Sequence, residues 1–324
     1  MSEQHAARVV LLAGGVGGAR MAAGFARALP TGALTVVVNV GDDDDFHGLR
    51  VCPDLDTIAY TLSGQVNAKQ AWGVEGDTTR ALDVLKRLGA TDTWMTLGDC
   101  DLGLHLHRTA RLRAGATLTQ VSSEIASAFG IGARILPVSN DPVSTRVMTE
   151  QGRLRFQEWF VQQRCAPRVQ ELVFEGAPAA QATPEVIAAL RNADLIVFAP
   201  SNPLLSIQPM LRIGGLDAVI RSSAAARVVV SPLINGMAVK GPLDKLMRDL
   251  NLPPGNRGIA EFYQGLIDGI TFDSSDSADT KPLQDQGLVT LCTATRIAEA
   301  QASERLARQI IATTWKPADT GAAS

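Results

Sequence analysis

The 324-residue sequence has little charge and no excess of basic residues. Only 19% of its residues are charged, and 30 Lys and Arg stand against 33 Asp and Glu, for a formal net charge of −3. A protein that binds the phosphate backbone of a nucleic acid needs a basic face. Because Lys and Arg form no cluster along the chain, the sequence disfavours a nucleic-acid partner and leaves a small anionic ligand open.

Paired cysteines and long apolar runs are also missing. The four cysteines are widely separated and form no C-x-x-C pair, which argues against a disulfide framework and against a cysteine-based zinc site. No apolar run approaches the roughly 18 residues of a membrane span, and the N-terminal residues lack the charged and apolar regions of a signal peptide. We therefore expect a cytoplasmic protein with no membrane partner.

Short, almost uniformly apolar runs recur along the chain and predict strands that are buried on both faces of a parallel sheet. Helical patterns separate these runs. The alternation predicts an α/β fold with a mostly parallel, Rossmann-like sheet, helices on both faces and a mainly helical insertion. The predicted strands span residues 8–13, 35–40, 134–138, 195–199, 227–231 and 288–292.

The predicted insertion spans residues 59–131, which contain few strand patterns and are placed over the active site. Residues 1–58 and 132–315 are then the Rossmann-like nucleotide-binding core, and residues 316–324 a flexible tail. Within the insertion, Asp77 is the expected N-cap of a helix that runs through Leu88.

A glycine-rich turn follows the first predicted strand, with glycine at four of the five positions from Gly14 to Gly18. Glycine permits a tight turn and lets backbone N–H groups approach a diphosphate, which a helix N-terminus also favours. The dinucleotide fingerprint fails because Arg20 stands where its last glycine belongs, and the P-loop pattern fails as well. The turn favours phosphate binding, with a purely structural turn as the alternative.

Carboxylates follow the second predicted strand, at the edge where ligands bind in open α/β sheets. Aspartates occupy positions 42–45, and Asp54 and Asp56 come just before an apolar helix. Mg²⁺ prefers a few carboxylates together with substrate phosphates. Asp54 or Asp56 is therefore a candidate magnesium ligand, and the alternative is that Asp56 only caps the helix.

A third carboxylate group, Asp99 and Asp101, precedes His105 and His107. The H-x-H spacing can ligate a transition metal but lacks a matching third ligand, so a histidine that contacts an anion is favoured over a zinc ligand. Polar turns also follow three further predicted strands, at residues 140–145, 199–203 and 231–236. Together with the glycine-rich turn they favour one shared nucleotide cleft, to which Lys240 would add positive charge.

Ten segments occur in order between about residue 8 and residue 263: AGGVGGAR, VVNVGDD, PDLDTIAYTL, WGVEGDT, LGDCDLGLHLHRT, LPVSNDPVSTRV, QEWFV, APSNPLLSI, SPLINGMAVKGP and GIAEFY. This ordered set resembles the 2-phospho-L-lactate transferase family, which completes the core of the deazaflavin coenzyme F420. The resemblance implies a Mg²⁺-dependent homodimer. It would transfer a phospholactyl, phosphoenolpyruvyl or 3-phosphoglyceryl group from a guanosine diphosphate-linked donor to the terminal ribityl hydroxyl of the deazaflavin Fo, releasing GMP.

The residue patterns and the resemblance together predict which residues form the site; the resemblance itself implies the glycine-rich turn, Ser201, Asn202 and Asp56. Nucleotide binding is expected at Gly14, Gly15, Gly17, Gly18, Ser201, Asn202 and Lys240. Binding of Fo or of the donor acid is expected at Asp56, Thr96, His107, Asn140 and Asp141. The expected catalytic residues are Asp54, Asp56 and Asp99. The expected metal ligands are Asp43 and Asp56.

One position departs from the family pattern. Related sequences carry Arg or Lys where Thr96 stands, which predicts a donor acid other than lactate, with 3-phosphoglycerate ahead of phosphoenolpyruvate. The alternative is that Thr96 faces solvent or Fo and leaves the donor unchanged. Two other functions stay open: a non-catalytic regulatory protein of the same fold that binds UDP-sugars, and a nicotinamide-dependent dehydrogenase, against which the failed fingerprint counts.

Overall fold

The computed structural model describes residues 7–315, and the predicted tail at residues 316–324 lies outside them. The strands are β1 (Val9–Ala13), β2 (Leu34–Val38), β3 (Asp44–Phe46), β4 (Leu49–Val51), β5 (Arg134–Pro137), β6 (Ser144–Thr149), β7 (Gly152–Arg155), β8 (Val169–Glu175), β9 (Leu195–Phe198), β10 (Ala226–Val230), β11 (Leu233–Ile234), β12 (Met237–Ala238), β13 (Gly269–Asp273) and β14 (Val289–Thr293).

The helices surround the main sheet. They are α1 (Gly15–Ala28), α2 (Pro53–Leu62), α3 (Arg80–Arg87), α4 (Asp99–Arg113), α5 (Leu118–Ala128), α6 (Pro184–Arg191), α7 (Gln208–Leu211), α8 (Leu216–Ser222), α9 (Leu243–Asp249), α10 (Gly255–Phe262), α11 (Thr280–Gln284) and α12 (Ala300–Ala312). Shorter helical turns span Glu158–Gln162, Pro203–Ile207 and Ser274–Asp279. Within residues 7–315, no helix has both the length and the apolar composition to cross a membrane.

The main sheet has seven parallel strands in the order β5-β2-β1-β9-β10-β13-β14. The chain therefore winds outwards from β1 in one direction and from β9 in the other. This is the doubly wound Rossmann order with one further strand, and it confirms the predicted fold class. In such sheets the crevice at the reversal point, here between β1 and β9, is where ligands bind.

The burial of the strands follows from their composition. Every residue of β1, β2 and β13 is buried, as expected for strands that are covered on both faces. The predicted strands agree with the observed ones to within one or two residues at most ends. Helix α1 follows β1 directly and packs against both α2 and α12.

The sequence-based interpretation missed β13 and a separate antiparallel sheet, β7-β6-β8. Strand β13 reads GITFD, in which polar Thr271 interrupts the apolar run. Strand β6 alternates partly buried and buried residues along its length, which is the pattern of an antiparallel strand with one covered face. Uniform apolar runs were the signal for parallel strands, and they do not detect this second type.

Residues 59–131 contain α3, α4, α5 and the end of α2, and among them only an isolated bridge between Val66 and Val74 is extended. The mainly helical character is as predicted. Helix α2 runs through the predicted boundary after residue 58, and the division into domains stays a prediction.

The predicted cap at Asp77 is wrong in an informative way. The carboxylate of Asp77 accepts N–H groups of Cys100 and Asp101 at the start of α4. The carboxylate of Asp99 in turn accepts the N–H groups of Arg80 and Ala81 at the start of α3. Each aspartate therefore caps the other's helix, which joins α3 to α4.

Candidate functional site

A cavity of about 710 Å³ opens at the carboxyl ends of the sheet strands, above the crevice between β1 and β9. Its two sides differ in charge. The acidic wall, on the β2 side, consists of Asp42, Asp54, Asp56 and Asp101. The basic wall, on the side of β10 to β14, contains Lys240 and Arg296.

The glycine-rich turn lies between these walls, and at Gly14 and Gly17 it is packed too closely to accept a side chain. A Cβ added at Gly14 would lie 2.4 Å from Oδ2 of Asp54, and one added at Gly17 would lie 2.3 Å from the carbonyl oxygen of Pro200. Ser201 ties the turn to the end of β9, because its hydroxyl donates to the Gly14 carbonyl at 2.7 Å. Helix α1 begins here without a cap from its N-cap residue Gly14. Its first N–H, that of Gly15, bonds to Asp54, and the N–H groups that follow in the first turn are available to an anion.

Asp42 and Asp54 form a buried pair on the acidic wall. The side-chain amide of Asn39 donates to both carboxylates, at 3.2 Å to Asp42 and 3.0 Å to Asp54. Asp54 also accepts the N–H of Gly15 at 2.6 Å. Burial raises the pKa of Asp54 to about 6. Burial and the neighbouring carboxylate of Asp54 raise the pKa of Asp42 well above its usual value. Among residues 7–315 no basic side chain forms an ion pair with either carboxylate, so a bound cation would relieve the repulsion.

Asp56 has a different environment, because it is neutralised by a buried arginine. The guanidinium of Arg108, only 1% exposed, donates to both oxygens of Asp56 and to the carbonyl of Arg50. Burial raises the pKa of Asp56, and the positive charge of Arg108 opposes that rise. Asp56 is not the N-cap of α2, since the helix begins at Pro53 and the N–H of Asp56 bonds to the carbonyl of Cys52. The capping alternative is therefore wrong.

Asp101 and His105 extend this network along α4. Asp101 accepts the hydroxyl of Tyr60 at 2.7 Å, and its Oδ1 lies 3.4 Å from Nε2 of His105. One ligand atom each from Asp56, Asp101 and His105 lie within 4.8 Å of one another, so these residues could hold a metal ion. Nδ1 of His105 lies 3.3 Å from Nη1 of Arg108, which can only donate.

The structure brings together most of the residues predicted for the site. Those that line the cavity are Gly14, Gly15, Gly17, Asp54, Asp56, Thr96, Ser201, Asn202 and Lys240. Gly18, Asp43, Asp99, His107, Asn140 and Asp141 do not line it.

Several of the residues outside the cavity are held by the surrounding structure instead. Asn140 accepts the N–H and hydroxyl of Thr119 at the start of α5, and Asp141 accepts the N–H of Gln181. His107 lies on the outer side of α4, with Nε2 3.3 Å from Glu124.

Asp43 is buried under the acidic wall, with Oδ2 3.7 Å from Arg50. Gly18 packs below the turn, where a Cβ would lie 2.9 Å from the hydroxyl of Ser201. Asp99 is occupied in capping α3.

Sequence reasoning missed or passed over several residues of the cavity. The sequence motif that contains Asp101 and His105 is too weak to assign them to a site. Arg108 lies in the family-like segment LGDCDLGLHLHRT, in which nothing distinguishes it as a site residue. Helical spacing was the available signal, because residues three or four apart share one helix face. Arg296 carried no motif at all.

Comparison with known proteins shows which family this chain resembles. A family model described as 2-phospho-L-lactate transferase CofD matches residues 9–309. A 2-phospho-L-lactate transferase of Methanosarcina barkeri is 35% identical over 303 residues, which cover 94% of this chain and 97% of the relative. A phosphoenolpyruvate transferase of Streptomyces griseus subsp. griseus is 35% identical over 309 residues, with coverage of 94% and 97%.

A solved structure shows the same fold at low sequence identity. It is a member of the UPF0052 family from Bacillus halodurans, with a TM-score of 0.59 and 17% identity over 94% of this chain and 99% of that one. At this identity, the likeness extends to the fold alone.

Proposed function

Because the chain belongs to the 2-phospho-L-lactate transferase CofD family, a family of transferases, we propose that it acts in the synthesis of coenzyme F420. It transfers a phospho-organic-acid group from a guanosine diphosphate-linked donor to the terminal ribityl hydroxyl of Fo and releases GMP. The observation that carries this proposal is the open glycine-rich turn beside the carboxylate pair Asp42 and Asp54, since phosphoryl transfer needs a phosphate cradle and charge stabilisation.

The diphosphate of the donor is assigned to the N-terminus of α1. Backbone N–H groups and the helix dipole favour an anion there. Ser201 and Asn202 complete the cradle from the end of β9. The side-chain oxygen of Asn202 caps the following helical turn by accepting the N–H groups of Leu204 and Leu205, which leaves its amide N–H groups for the donor.

Magnesium is assigned to Asp42 and Asp54 rather than to the predicted ligands Asp43 and Asp56. The pair consists of hard oxygen donors, which Mg²⁺ prefers, and its two carboxylates repel each other beside the phosphate cradle. Asp56 is already neutralised by Arg108, and Asp43 does not line the cavity. When bound, the ion would neutralise charge on the phosphates as it develops.

The acceptor hydroxyl is assigned to Asp56, whose carboxylate Arg108 fixes in one orientation. The hydroxyl oxygen bonds to the acid-bearing phosphorus while its proton passes to the Asp56 carboxylate, and the bond from that phosphorus to the bridging oxygen, which leaves with GMP, breaks. Such a displacement needs positioning more than covalent chemistry from the protein. A carboxylate with a fixed orientation supplies the hydrogen bond that aims the attacking oxygen.

The planar ring of Fo is assigned to the apolar mouth of the cavity. Trp72 and Phe160 line the cavity and are 44% and 38% exposed, and Met95 and Val239 lie on the same rim. Exposed aromatic side chains in a concave site are typical of binding sites for flat, apolar ligands.

The test is mass spectrometry of the products after incubation with Fo, Mg²⁺ and each of the three guanylylated acids. We expect GMP and a phosphodiester of Fo with at least one donor, and none when Mg²⁺ is chelated. The matched variants are Asp42→Asn, which should be inactive, and Asp45→Asn, an exposed aspartate of the same run, which should be active. Absence of product together with preferential binding of a UDP-sugar or of NAD would overturn the proposal.

By the same family likeness we propose a homodimer that works in the cytoplasm. Light scattering on the purified chain tests the dimer, and a monomeric mass at assay concentration would contradict it.

A further inference from the structure

The acidic and basic walls of the cavity pose a problem of charge for any anionic donor. The four carboxylates of the acidic wall lie on one side of the glycine-rich turn, and only the pair Asp42 and Asp54 is assigned a cation. A donor with two phosphates and a carboxylate carries at least as much negative charge itself. Its remaining charge therefore has to be balanced by the cations that line the cavity, which are Arg20 on α1 together with Lys240 and Arg296 on the basic wall.

Arg296 is placed in the cavity by a well-defined anchor. It lies in the segment between β14 and α12. Arg296 and the neighbouring residues 295, 297 and 298 all line the cavity. Buried Asp273, at the end of β13, accepts the N–H of Thr295 at 2.9 Å and its hydroxyl at 3.2 Å. The other oxygen of Asp273 accepts the N–H and hydroxyl of Ser275. The backbone next to Arg296 is thus anchored, through Thr295, to a buried carboxylate at the end of β13.

The guanidinium of Arg296 differs from the other cation of the basic wall. Lys240 donates to the carbonyl of Gln70 at 3.2 Å. Within residues 7–315, Arg296 has no hydrogen bond or ion pair. Arginine offers five donors in a planar fork that matches phosphate and carboxylate groups. An arginine that has no protein partner and projects from an anchored segment lining a cavity is available to bind such a group.

We infer that Arg296 binds an oxyanion of the nucleotide donor, either a phosphate or the carboxylate of the transferred acid. This inference rests on the proposed function and adds a residue that sets affinity for the donor. The basic wall then recognises the donor, and the acidic wall holds the groups that react.

The experiment is calorimetric titration of the full chain, in Mg²⁺, with guanosine, GMP, GDP and an intact guanylylated acid. The variants are Arg296→Gln and Arg296→Lys, and the matched control is Arg305→Gln, an exposed arginine on α12 that does not line the cavity. We expect Arg296→Gln to weaken binding of at least one anionic ligand by about tenfold or more. Arg296→Lys should lose less, because it retains the charge, and Arg305→Gln should bind as the wild type does.

The pattern of loss identifies the group that is bound. Equal loss for GMP and GDP assigns the first phosphate, loss for GDP alone assigns the second, and loss confined to the intact donor assigns the carboxylate. Unchanged affinity of Arg296→Gln for all three anionic ligands overturns the inference while the proposed function stands, and so does an equal loss for neutral guanosine. If the wild type binds none of these ligands, the proposed function fails and the inference fails with it.

Discussion

The acidic and basic walls of the cavity are built in opposite ways. On the acidic wall the functional side chains are buried and held by one another, as in the contacts of Asp54 with Asn39 and of Asp56 with Arg108. On the basic wall Lys240 and Arg296 are exposed, and only the backbone beneath Arg296 is clamped. Preorganised charge stabilises a transition state best where water is excluded. The buried acidic wall therefore suits the proposed chemistry, and the exposed basic wall suits the proposed recognition of the donor.

The largest effect should come from breaking the carboxylate pair. We expect Asp42→Asn to lower kcat by about a thousandfold, because a metal ligand and its charge are lost. The fold should persist, since removing one of two repelling buried carboxylates relieves strain in the metal-free protein. Steady-state kinetics and thermal melting measure both. Turnover of this variant near that of Asp45→Asn, or full activity in EDTA, would contradict the role of the pair.

The second effect concerns stability and compares buried with exposed ion pairs on the same helix. Arg108→Met leaves Asp56 buried without its partner, which should lower the free energy of unfolding by about 3 kcal/mol. The control is Arg111→Met, because Arg111 pairs with Glu124 at the surface, where solvent screens the pair and its contribution to stability is small. Urea unfolding of both variants measures the difference. Equal losses would show that the acidic wall is not held by its buried arginine.

The same comparison explains which parts of the molecule the sequence could predict. Strand β1 and the glycine-rich turn are local: a uniform apolar run is followed by glycines whose missing Cβ atoms the structure requires. The bond between Asp56 and Arg108 joins residues 52 positions apart, and nothing in the segment around either residue encodes the other. Local patterns therefore predict the strand and the glycine-rich turn. The acidic wall depends on pairing between distant residues, and only the three-dimensional structure shows it.

The choice between neighbouring aspartates was beyond the sequence for a related reason. Asp42 lines the cavity, whereas Asp43 points beneath it toward Arg50. Which of two adjacent side chains faces the cavity depends on the backbone conformation of the turn. A run of four identical aspartates does not indicate which of them faces it. Asp77 and Asp99 show the same limit, since aspartate at either position favours a helix N-cap. Asp77 caps α4, which begins at Asp99, and Asp99 caps α3, which follows Asp77.

A smaller effect should come from the aromatic mouth. We expect Trp72→Ala to raise KM for Fo by about tenfold, with kcat and KM for the donor nearly unchanged, because apolar and stacking contacts with the ring are lost. Trp72→Phe keeps a ring and should retain most of the affinity, and Leu88→Ala removes an exposed apolar side chain that does not line the cavity. A rise in KM for the donor instead of Fo would exchange the two assignments.

The smallest expected effect tests whether donor choice also depends on the rim of the cavity. Thr96 is exposed and lines the cavity next to Met95 and Leu97, at a position where the resemblance to the family predicts Arg or Lys. Its hydroxyl can donate and accept but carries no charge, and charge-assisted hydrogen bonds are about twice as strong as neutral ones. If the donor acid reaches this rim, a neutral and shorter side chain favours a more hydroxylated acid, so we expect 3-phosphoglycerate to be preferred over phosphoenolpyruvate and lactate.

Competition among the three guanylylated acids, on the wild type and on Thr96→Arg, measures this preference. We expect the arginine to shift the ratio of kcat/KM between donors by several-fold, toward the acids that the charged relatives use. Thr96→Ser, which keeps the hydroxyl, should leave the ratio unchanged. An identical donor ranking in wild type and Thr96→Arg would mean that Thr96 contacts Fo or solvent, and selectivity would then rest with the basic wall, where Arg296→Gln should move it instead.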